Sequence, residues 1–352
     1  MQEVKRYEYC IVDVFAEAPY RGNQLAVVIN DGTLSDADML SITQEMHYSE
    51  TVFIETQTLH AEEKKIRIFT PPAEVPFAGH PCLGAAFCIS RAIEKTCGAI
   101  EMNQAWETMG NLKNLSGDIE LNQTDGVPRN SKSFSSSIDV SDKKITLKTK
   151  AGLIPVLRKQ TDAKPVWWME QLQPEFGRNV SVTEMARILG LSTEQFDTAY
   201  PVQWVSTGLP FLLVPLKNLS AVRSAAVDWE IFHATLSGLL GDVMLFTRET
   251  EDSSKDLHVR VLVDFPGIPE DPATGSANGC LAGYIVNYGY LGAEQVRYTV
   301  EQGIEMGRPS VLHVAASKHN DRYSIQVGGE VFLIAQGELL WYRETEIRES
   351  QR

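Results

Sequence analysis

The sequence repeats itself once, and this constrains its fold more than any other feature. Three segments follow one another in each half: SETVFI (49–54), RIFTP (67–71) and GHPCLGA (79–85), then GDVMLF (241–246), RVLVD (260–264) and NGCLAG (278–283). Glu50 and Asp242 lie 192 positions apart, and Arg67 and Arg260 lie 193 apart. Chance similarity between apolar strands is the alternative, because each matched residue is common. Since order and spacing agree, we predict a duplicated α+β domain whose functional site lies where the repeats face each other.

The hydrophobic periodicity predicts many strands and few helices. The helix at 36–46 has Ser35 as its N-cap and ends near His47, and a second helix begins close to Pro81. A third helix is expected at 182–189. Strands are predicted at 7–15, 25–29, 51–55, 66–69, 145–147, 153–157, 166–169, 205–214, 243–247, 259–265, 311–315, 323–327 and 331–340.

The length of 352 residues is enough for two domains, each with its own core. We predict an N-terminal domain at 1–143, a C-terminal domain at 144–340 and a tail at 341–352. Between about 101 and 142 the chain is dominated by Asn, Ser, Gln, Gly and Asp, which indicates a polar surface insertion in the first domain.

Composition excludes several classes of function. A net charge of −14 opposes binding to nucleic acid and to anionic membranes. No apolar run approaches the ~20 residues that span a bilayer, and the first residues lack the apolar core of a signal peptide. Five scattered cysteines without a CxxC pair and seven histidines without shared spacing give no sign of a metal site. We therefore expect a cytoplasmic protein without membrane or nucleic-acid partners.

Two glycine loops precede small-residue helices, one at Gly79 and His80 and the other at Gly275 and Ser276. Such a loop leaves backbone N–H groups unpaired at the positive end of a helix dipole, where an anion binds well. A small carboxylate is the natural occupant if the two loops face each other. The alternative is that DPATGSANG (271–279) is only a tight turn with an Asp cap. Neither a P-loop nor a dinucleotide fingerprint is present.

Three side chains near these loops could move protons. Glu50 lies between the first helix and an apolar strand, where partial burial would raise the pKa of its carboxyl and make it a general base. His80 could donate or accept a proton at the first helix start, and Asp271 could orient a polar group of the substrate. Each also has a structural interpretation: a solvent-facing acid, a hydrogen-bonded histidine and an N-cap, respectively.

Two cysteines and a serine lie at the same helix starts. Cys82 and Cys280 could have lowered thiol pKa values there, although small buried cysteines are the more common case. Ser276 lacks the G-x-S-x-G frame of a hydrolase nucleophile.

Six ordered motifs make the chain resemble the PhzF-like phenazine-biosynthesis family: DVF (13–15), GNQLAVV (22–28), SETVF (49–53), FAGHPCLG (77–84), EDPATGSANG (270–279) and QGIEMGRPS (302–310). The resemblance implies the diaminopimelate epimerase-like fold, with two pseudo-symmetric α+β domains, each a sheet wrapped around a central helix. It also implies that Glu50 is the acid/base carboxylate, that His80, Asp271 and Asn23 contact the substrate, and that Gly79, Gly275 and Ser276 bind its anionic group. No cofactor or metal is expected, and a homodimer is plausible.

One departure concerns the mechanism. Diaminopimelate epimerase uses two facing cysteines, whereas the matching loop positions here are Ala78 and Gly275. The leading hypothesis is therefore a cofactor-independent isomerase that shifts a proton on a small carboxylate-bearing substrate by means of Glu50. A non-catalytic ligand-binding or protein-interaction member of the same fold is the alternative, and a cysteine-dependent racemase ranks third.

Overall fold

The computed structural model describes residues 3–94, 143–160, 164–237, 241–265 and 268–343. Within these residues the protein is α+β, as predicted, and it has eighteen strands and six α-helices, more of each than the sequence predicted. The predicted insertion at 101–142 lies outside the described residues, as does most of the predicted tail.

The first repeat contains nine strands and two helices. In chain order they are β1 (Glu3–Val14), β2 (Asn23–Asn30), α1 (Asp36–Met46), β3 (Thr51–Glu55), β4 (Glu63–Phe69), β5 (Glu74–Val75), α2 (79–94), β6 (Lys143–Thr149), β7 (Gly152–Lys159), β8 (Val166–Glu170) and β9 (Glu175–Val180).

The second repeat contains nine further strands and four helices. They are α3 (Val182–Leu189), β10 (Val202–Ser206), β11 (Pro210–Pro215), α4 (Leu219–Ser224), α5 (Trp229–Thr235), β12 (Asp242–Thr247), β13 (Leu257–Phe265), β14 (Ile268–Asp271), α6 (Gly275–Tyr288), β15 (Gln295–Gln302), β16 (Ser310–His319), β17 (Arg322–Gly329) and β18 (Val331–Arg343).

The strand pairing of one repeat reproduces that of the other. β2 and β3 are parallel, as are β11 and β12. β4 pairs antiparallel with β3 and β5 and parallel with β6, and β13 pairs in the same way with β12, β14 and β15. The duplicated architecture predicted from the sequence is therefore present.

The two repeats share their sheets. β9, the last strand of the first repeat, pairs with β10, and β18, the last strand of the second, pairs with β1. β8 and β17 also pair directly. Because each repeat lends its final strand to the other, backbone hydrogen bonds fix how the two halves face each other.

α2 and α6 are the central helices of the two halves. Every residue of α6 from Gly275 to Val286 is buried, and Cys82, Leu83 and Ala85 of α2 are fully buried. Both helices are rich in Gly and Ala because sheets surround them closely. A Cβ on Gly84, for example, would lie 2.4 Å from Leu25 Cδ2.

The boundaries of α1 follow from its local sequence. The Ser35 side chain accepts a hydrogen bond from the Asp38 backbone N–H, and the Asp38 carboxylate accepts one from the Ser35 N–H. This capping box satisfies two otherwise unpaired donors. At the other end, His47 adopts a left-handed conformation with φ 58°. Both predicted ends of this helix are confirmed.

The single strand predicted at 205–214 is wrong, because the structure has two strands there. β10 and β11 pair as an antiparallel hairpin, joined by a turn in which Gly208 has a φ of +120°. The Gly208 N–H donates to the Ser206 hydroxyl. Glycine reaches this conformation without steric cost, so the turn can separate the apolar residues of the two strands.

Gly22 closes the connection between β1 and β2 and is held by the second repeat. Its N–H donates to the Pro309 carbonyl at 3.1 Å, and its carbonyl accepts from Arg308 Nε at 3.0 Å. Its φ is +74°, and a Cβ there would lie 2.4 Å from the Val14 carbonyl oxygen. The backbone conformation and the close approach both require glycine.

None of the helices in the described ranges is long and apolar enough to cross a membrane.

Replacing Gly22 with alanine should destabilise the protein by roughly 2–4 kcal/mol, because left-handed strain adds to a backbone clash. Gly190→Ala is the matched control, since Gly190 has a φ of +66° but open space around its Cα. It should cost only about 1 kcal/mol. Denaturant unfolding measures both, and equal losses would contradict the role of the close approach at Gly22.

Candidate active site

A cavity of about 260 Å³ lies where the two repeats meet. Its lining includes Ser49, Glu50, Thr70, Gly79 and His80 from the first repeat and Asp242, Asp271, Thr274, Gly275 and Ser276 from the second. The structure thus brings together six of the seven site residues predicted from the sequence. The seventh, Asn23, lies behind the cavity wall.

The starts of α2 and α6 touch each other at this cavity. A Cβ on Gly79 would lie 3.4 Å from the Ser276 backbone nitrogen and 3.5 Å from Gly275 Cα. On Gly275, a Cβ would lie 3.1 Å from the Phe15 ring. The absence of side chains at both positions therefore allows two helix N-termini to converge on one space.

The start of α6 has no side-chain cap. Thr274 occupies the N-cap position, but its hydroxyl donates to Asp271 Oδ2 at 2.5 Å and makes no capping hydrogen bond. No acidic residue lies in the first helical turn. The N–H groups of Gly275 and Ser276 therefore remain available at the positive end of a 14-residue helix, an arrangement that favours an anion.

Glu50 directly precedes β3, whose first four residues are buried. Burial raises the pKa of its carboxyl to about 7, although the neighbouring Ser49 hydroxyl acts in the opposite direction. Glu50 Oε2 lies 3.6 Å from His80 Nε2, and neither atom has a hydrogen-bond partner. Near neutral pH this carboxyl is thus present in both protonation states, as proton transfer in both directions requires.

His80 is the second residue of α2 and is buried. Burial lowers the pKa of its imidazole to about 4, although the Asp271 carboxylate favours the charged form. The ring is therefore neutral at physiological pH. Its unpartnered Nε2 can exchange a hydrogen bond with a ligand without adding a positive charge to the cavity.

Asp271 is anchored on both oxygens. Its Oδ1 accepts from Asn23 Nδ2 at 2.8 Å, while Oδ2 accepts from the Thr274 hydroxyl. Burial raises the pKa of this carboxyl, and the nearby His80 ring opposes that effect. These two hydrogen bonds fix the carboxyl group against the start of α6.

Asn23 holds other site residues and does not line the cavity. Its amide nitrogen donates to Asp271 Oδ1 and to the Ala273 carbonyl at 3.0 Å, and lies 3.3 Å from His80 Nδ1. Two donated bonds use both of its protons. The structure thus gives Asn23 a positioning role, whereas the sequence predicted direct contact with the substrate.

Gln302 is a positioning residue that the sequence analysis did not single out. Its Nε2 donates to the Asp271 carbonyl at 2.9 Å and to the Thr274 hydroxyl at 3.0 Å. Its Oε1 accepts from Asn278 Nδ2 at 3.0 Å. The QGIEMGRPS motif, whose first residue is this glutamine, could have identified Gln302 from the sequence.

Asp242 was recognised in the repeat but was not predicted as a site residue. It lines the cavity, and burial raises the pKa of its carboxyl to about 6. Its place in the repeat, equivalent to that of Glu50, was the signal that could have identified it.

The thiols lie away from this chemistry. Cys82 and Cys280 are buried and absent from the cavity lining, and burial raises their thiol pKa values to about 12 and about 11. Such thiols do not ionise near neutral pH, which disfavours the cysteine-dependent racemase. In the described part of the chain, no cluster of three or more His, Cys, Asp or Glu residues could hold a metal ion.

A second cavity of about 560 Å³ adjoins the first and shares the Leu209 side chain with it. Its walls are mostly apolar, and Glu170 is its one carboxylate among the described residues. The grouped acid/base residues therefore identify the smaller cavity as the candidate active site.

Two facing α+β repeats, with carboxyl and imidazole groups grouped where they meet, form the diaminopimelate epimerase-like fold, and relatives along nearly the whole chain are named isomerases. The model of the family described as phenazine biosynthesis-like protein matches residues 12–126 and 130–337. The chain belongs to this family.

Relatives align along nearly the whole chain. An uncharacterized isomerase of Mesorhizobium japonicum is 28% identical over 94% of this chain and 98% of its own. The trans-2,3-dihydro-3-hydroxyanthranilate isomerase of Pseudomonas chlororaphis is 27% identical over 95% of this chain and 99% of its own. The solved structure of a predicted epimerase from Pseudomonas aeruginosa superimposes with a TM-score of 0.67 at 28% identity, covering 95% of this chain and 99% of that one.

Replacing Glu50 with glutamine should stabilise the folded protein at pH 8. Burial raises the folded-state pKa of Glu50 to about 7, whereas the unfolded pKa is near 4.5. The folding stability linked to protonation of this carboxyl is therefore fully present below the unfolded pKa and is lost as the pH rises through 7. The glutamine variant does not lose this stability. Its free energy of unfolding should exceed that of the wild type by on the order of 2 kcal/mol at pH 8 and by little at pH 4.

Denaturant unfolding at both pH values checks this, with Glu62→Gln at an exposed site as the control. A Glu50→Gln variant that shows the same stability difference from wild type at pH 4 and pH 8 would contradict a raised pKa.

Proposed function

We propose that the protein is a cofactor-independent isomerase that shifts a proton on a small carboxylate-bearing substrate, with Glu50 as the acid/base group. The observation that carries this proposal is the pair Glu50 Oε2 and His80 Nε2, 3.6 Å apart and without partners, in a cavity that both helix starts also line. Buried polar atoms without partners are rare in native proteins, which supports a ligand as their partner.

The substrate carboxylate binds at the two helix starts in this proposal. The N–H groups of Gly79, Gly275 and Ser276 are the donors, and two helix dipoles add to the attraction. Among the described residues that line the cavity, none is a lysine or arginine. Backbone groups therefore provide the electrostatic attraction for the anion.

Glu50 then removes a proton from a carbon conjugated with that carboxylate. The C–H bond breaks, the proton moves to a Glu50 oxygen, and the electron pair spreads toward the bound carboxylate. Pre-positioned N–H donors stabilise the charge that develops there. Return of a proton to a different carbon completes the isomerisation with no net oxidation, and the neutral His80 ring hydrogen-bonds the reacting substrate.

The Pseudomonas relatives provide a first test compound. Their names state that they isomerise trans-2,3-dihydro-3-hydroxyanthranilate, a carboxylate with a conjugated ring. Both features match the requirements set out above, so we propose a substrate of this chemical class. The cytoplasmic location and the homodimer stay predictions. So does the domain boundary near residue 143, although the strand pairing divides the two repeats between β9 and α3.

Glu50→Gln should lower kcat for this compound by about 10²–10⁴-fold, the usual contribution of a general acid/base group. Glutamine keeps the size of the side chain, so the variant should still bind 3-hydroxyanthranilate, an unreactive aromatic analogue. Absorbance assays measure turnover and calorimetry measures binding, with Glu62→Gln as the control.

Two other results would decide against the proposal. Full activity of Glu50→Gln would reject Glu50 as the acid/base group. Binding without turnover or proton exchange in either wild type or variant would favour the non-catalytic ligand-binding alternative.

A further inference from the structure

Asp242 occupies the position in the second repeat that Glu50 occupies in the first. In the antiparallel ladder of the first repeat, Arg67 lies opposite Phe53, and Glu50 lies three residues before that phenylalanine. In the second, Arg260 lies opposite Leu245, and Asp242 lies three residues before that leucine. The register of the strands thus agrees with the equivalence of Glu50 and Asp242 found in the sequence.

Both acids line the same cavity, each supplied by its own repeat. Since the central helices α2 and α6 meet with their N-termini together, equivalent residues approach the cavity from its two halves. A substrate bound between them would have a protein carboxyl group on each side, that of Glu50 from the first repeat and that of Asp242 from the second.

The surroundings of Asp242 raise the pKa of its carboxyl. Burial disfavours the ionised form, as do the nearby carboxylates of Asp271 and Asp264, whereas the Asp264 N–H, which donates to Asp242 Oδ1 at 3.3 Å, acts in the opposite direction. His233 Nε2 lies within hydrogen-bond distance of Asp264 Oδ2, at 2.8 Å, and this histidine does not line the cavity. Burial together with these charges raises the pKa of Asp242 to about 6.

We propose that Asp242 is the second proton-transfer group of the reaction, donating a proton to one carbon of the substrate while Glu50 removes a proton from another. This inference rests on the proposed function, in which Glu50 alone is assigned a proton-transfer role.

The atoms and electrons balance in this scheme. A C–H bond breaks and its proton passes to the Glu50 carboxylate, while the electron pair moves through the conjugated system to the carbon that faces Asp242. The O–H bond of Asp242 breaks and its proton forms the new C–H bond. Glu50 is then protonated and Asp242 ionised, and proton exchange with water restores the starting state.

Isotopic labelling distinguishes a mechanism with two proton-transfer groups from a mechanism with one. If Glu50 both removes and returns the proton, substrate deuterated at the reacting carbon carries deuterium into the product in a single turnover in H₂O. If Asp242 donates, the new C–H bond takes its hydrogen from solvent. With trans-2,3-dihydro-3-hydroxyanthranilate as the probe, we expect almost no transferred deuterium in the wild-type product.

Asp242→Asn should lower product formation by about 10²-fold or more while the labelled position of the substrate still exchanges with solvent. Asp242→Glu should recover part of the activity. Normal turnover by Asp242→Asn, together with an inactive Glu50→Gln, would overturn this proposal and leave the proposed function intact. Full activity of Glu50→Gln would instead overturn the proposed function.

A thermal-unfolding measurement without substrate tests the protonation of Asp242 independently of turnover. Because the folded-state pKa of Asp242 is raised, ionisation destabilises the folded protein as pH rises through 6. Asp242→Asn should therefore raise the Tm by roughly 3–6 °C at pH 7.5 and by little at pH 4. A Tm difference that does not change with pH would overturn the proposal, since the pKa of Asp242 would then be the same in the folded and the unfolded protein and too low for a proton donor near neutral pH.

Discussion

The contact between the starts of α2 and α6 is the constraint on which the rest of the structure depends. Gly79 lies against Gly275 and Ser276 so closely that a single added carbon would be in contact with the opposite backbone. Exchange of β9 and β18 between the repeats holds the two helices in this arrangement. The result is a small space in which two helix dipoles point at one ligand, and no charged side chain is needed to attract an anion.

This arrangement also determines the acid/base properties of the site. The helices bury Glu50, His80 and Asp271 far enough from water to disfavour their charged forms, which raises the pKa of the carboxyls and lowers that of the imidazole. Folding tolerates this cost because hydrogen bonds fix the neighbouring groups. Gln302 and Asn23 hold the Asp271 loop, and Arg308 holds the Gly22 turn that precedes Asn23.

The sequence predicted those features whose causes are local. The capping box at Ser35 fixes the start of α1, and the glycine loops fix the starts of α2 and α6. Six of the seven predicted site residues line the cavity, because the two glycine loops mark the helix starts that meet there, whereas Asn23 lies behind the wall and Asp242 was not singled out. Features that depend on distant partners were missed. The pairing of β18 with β1 joins residues more than 300 positions apart, and Gln302 acts through Thr274 and Asn278, which only the fold brings near. The turn at Gly208 was missed because the short polar segment STG (206–208) was interpreted as part of one alternating strand.

A structure of the protein with bound 3-hydroxyanthranilate tests the central claim most directly, since it shows where a small carboxylate binds. The account predicts the carboxylate oxygens within about 3 Å of the N–H groups of Gly79, Gly275 or Ser276, with Glu50 facing the ring carbons. A carboxylate bound elsewhere, for example in the apolar cavity beyond Leu209, with the helix starts contacting only water, would contradict it.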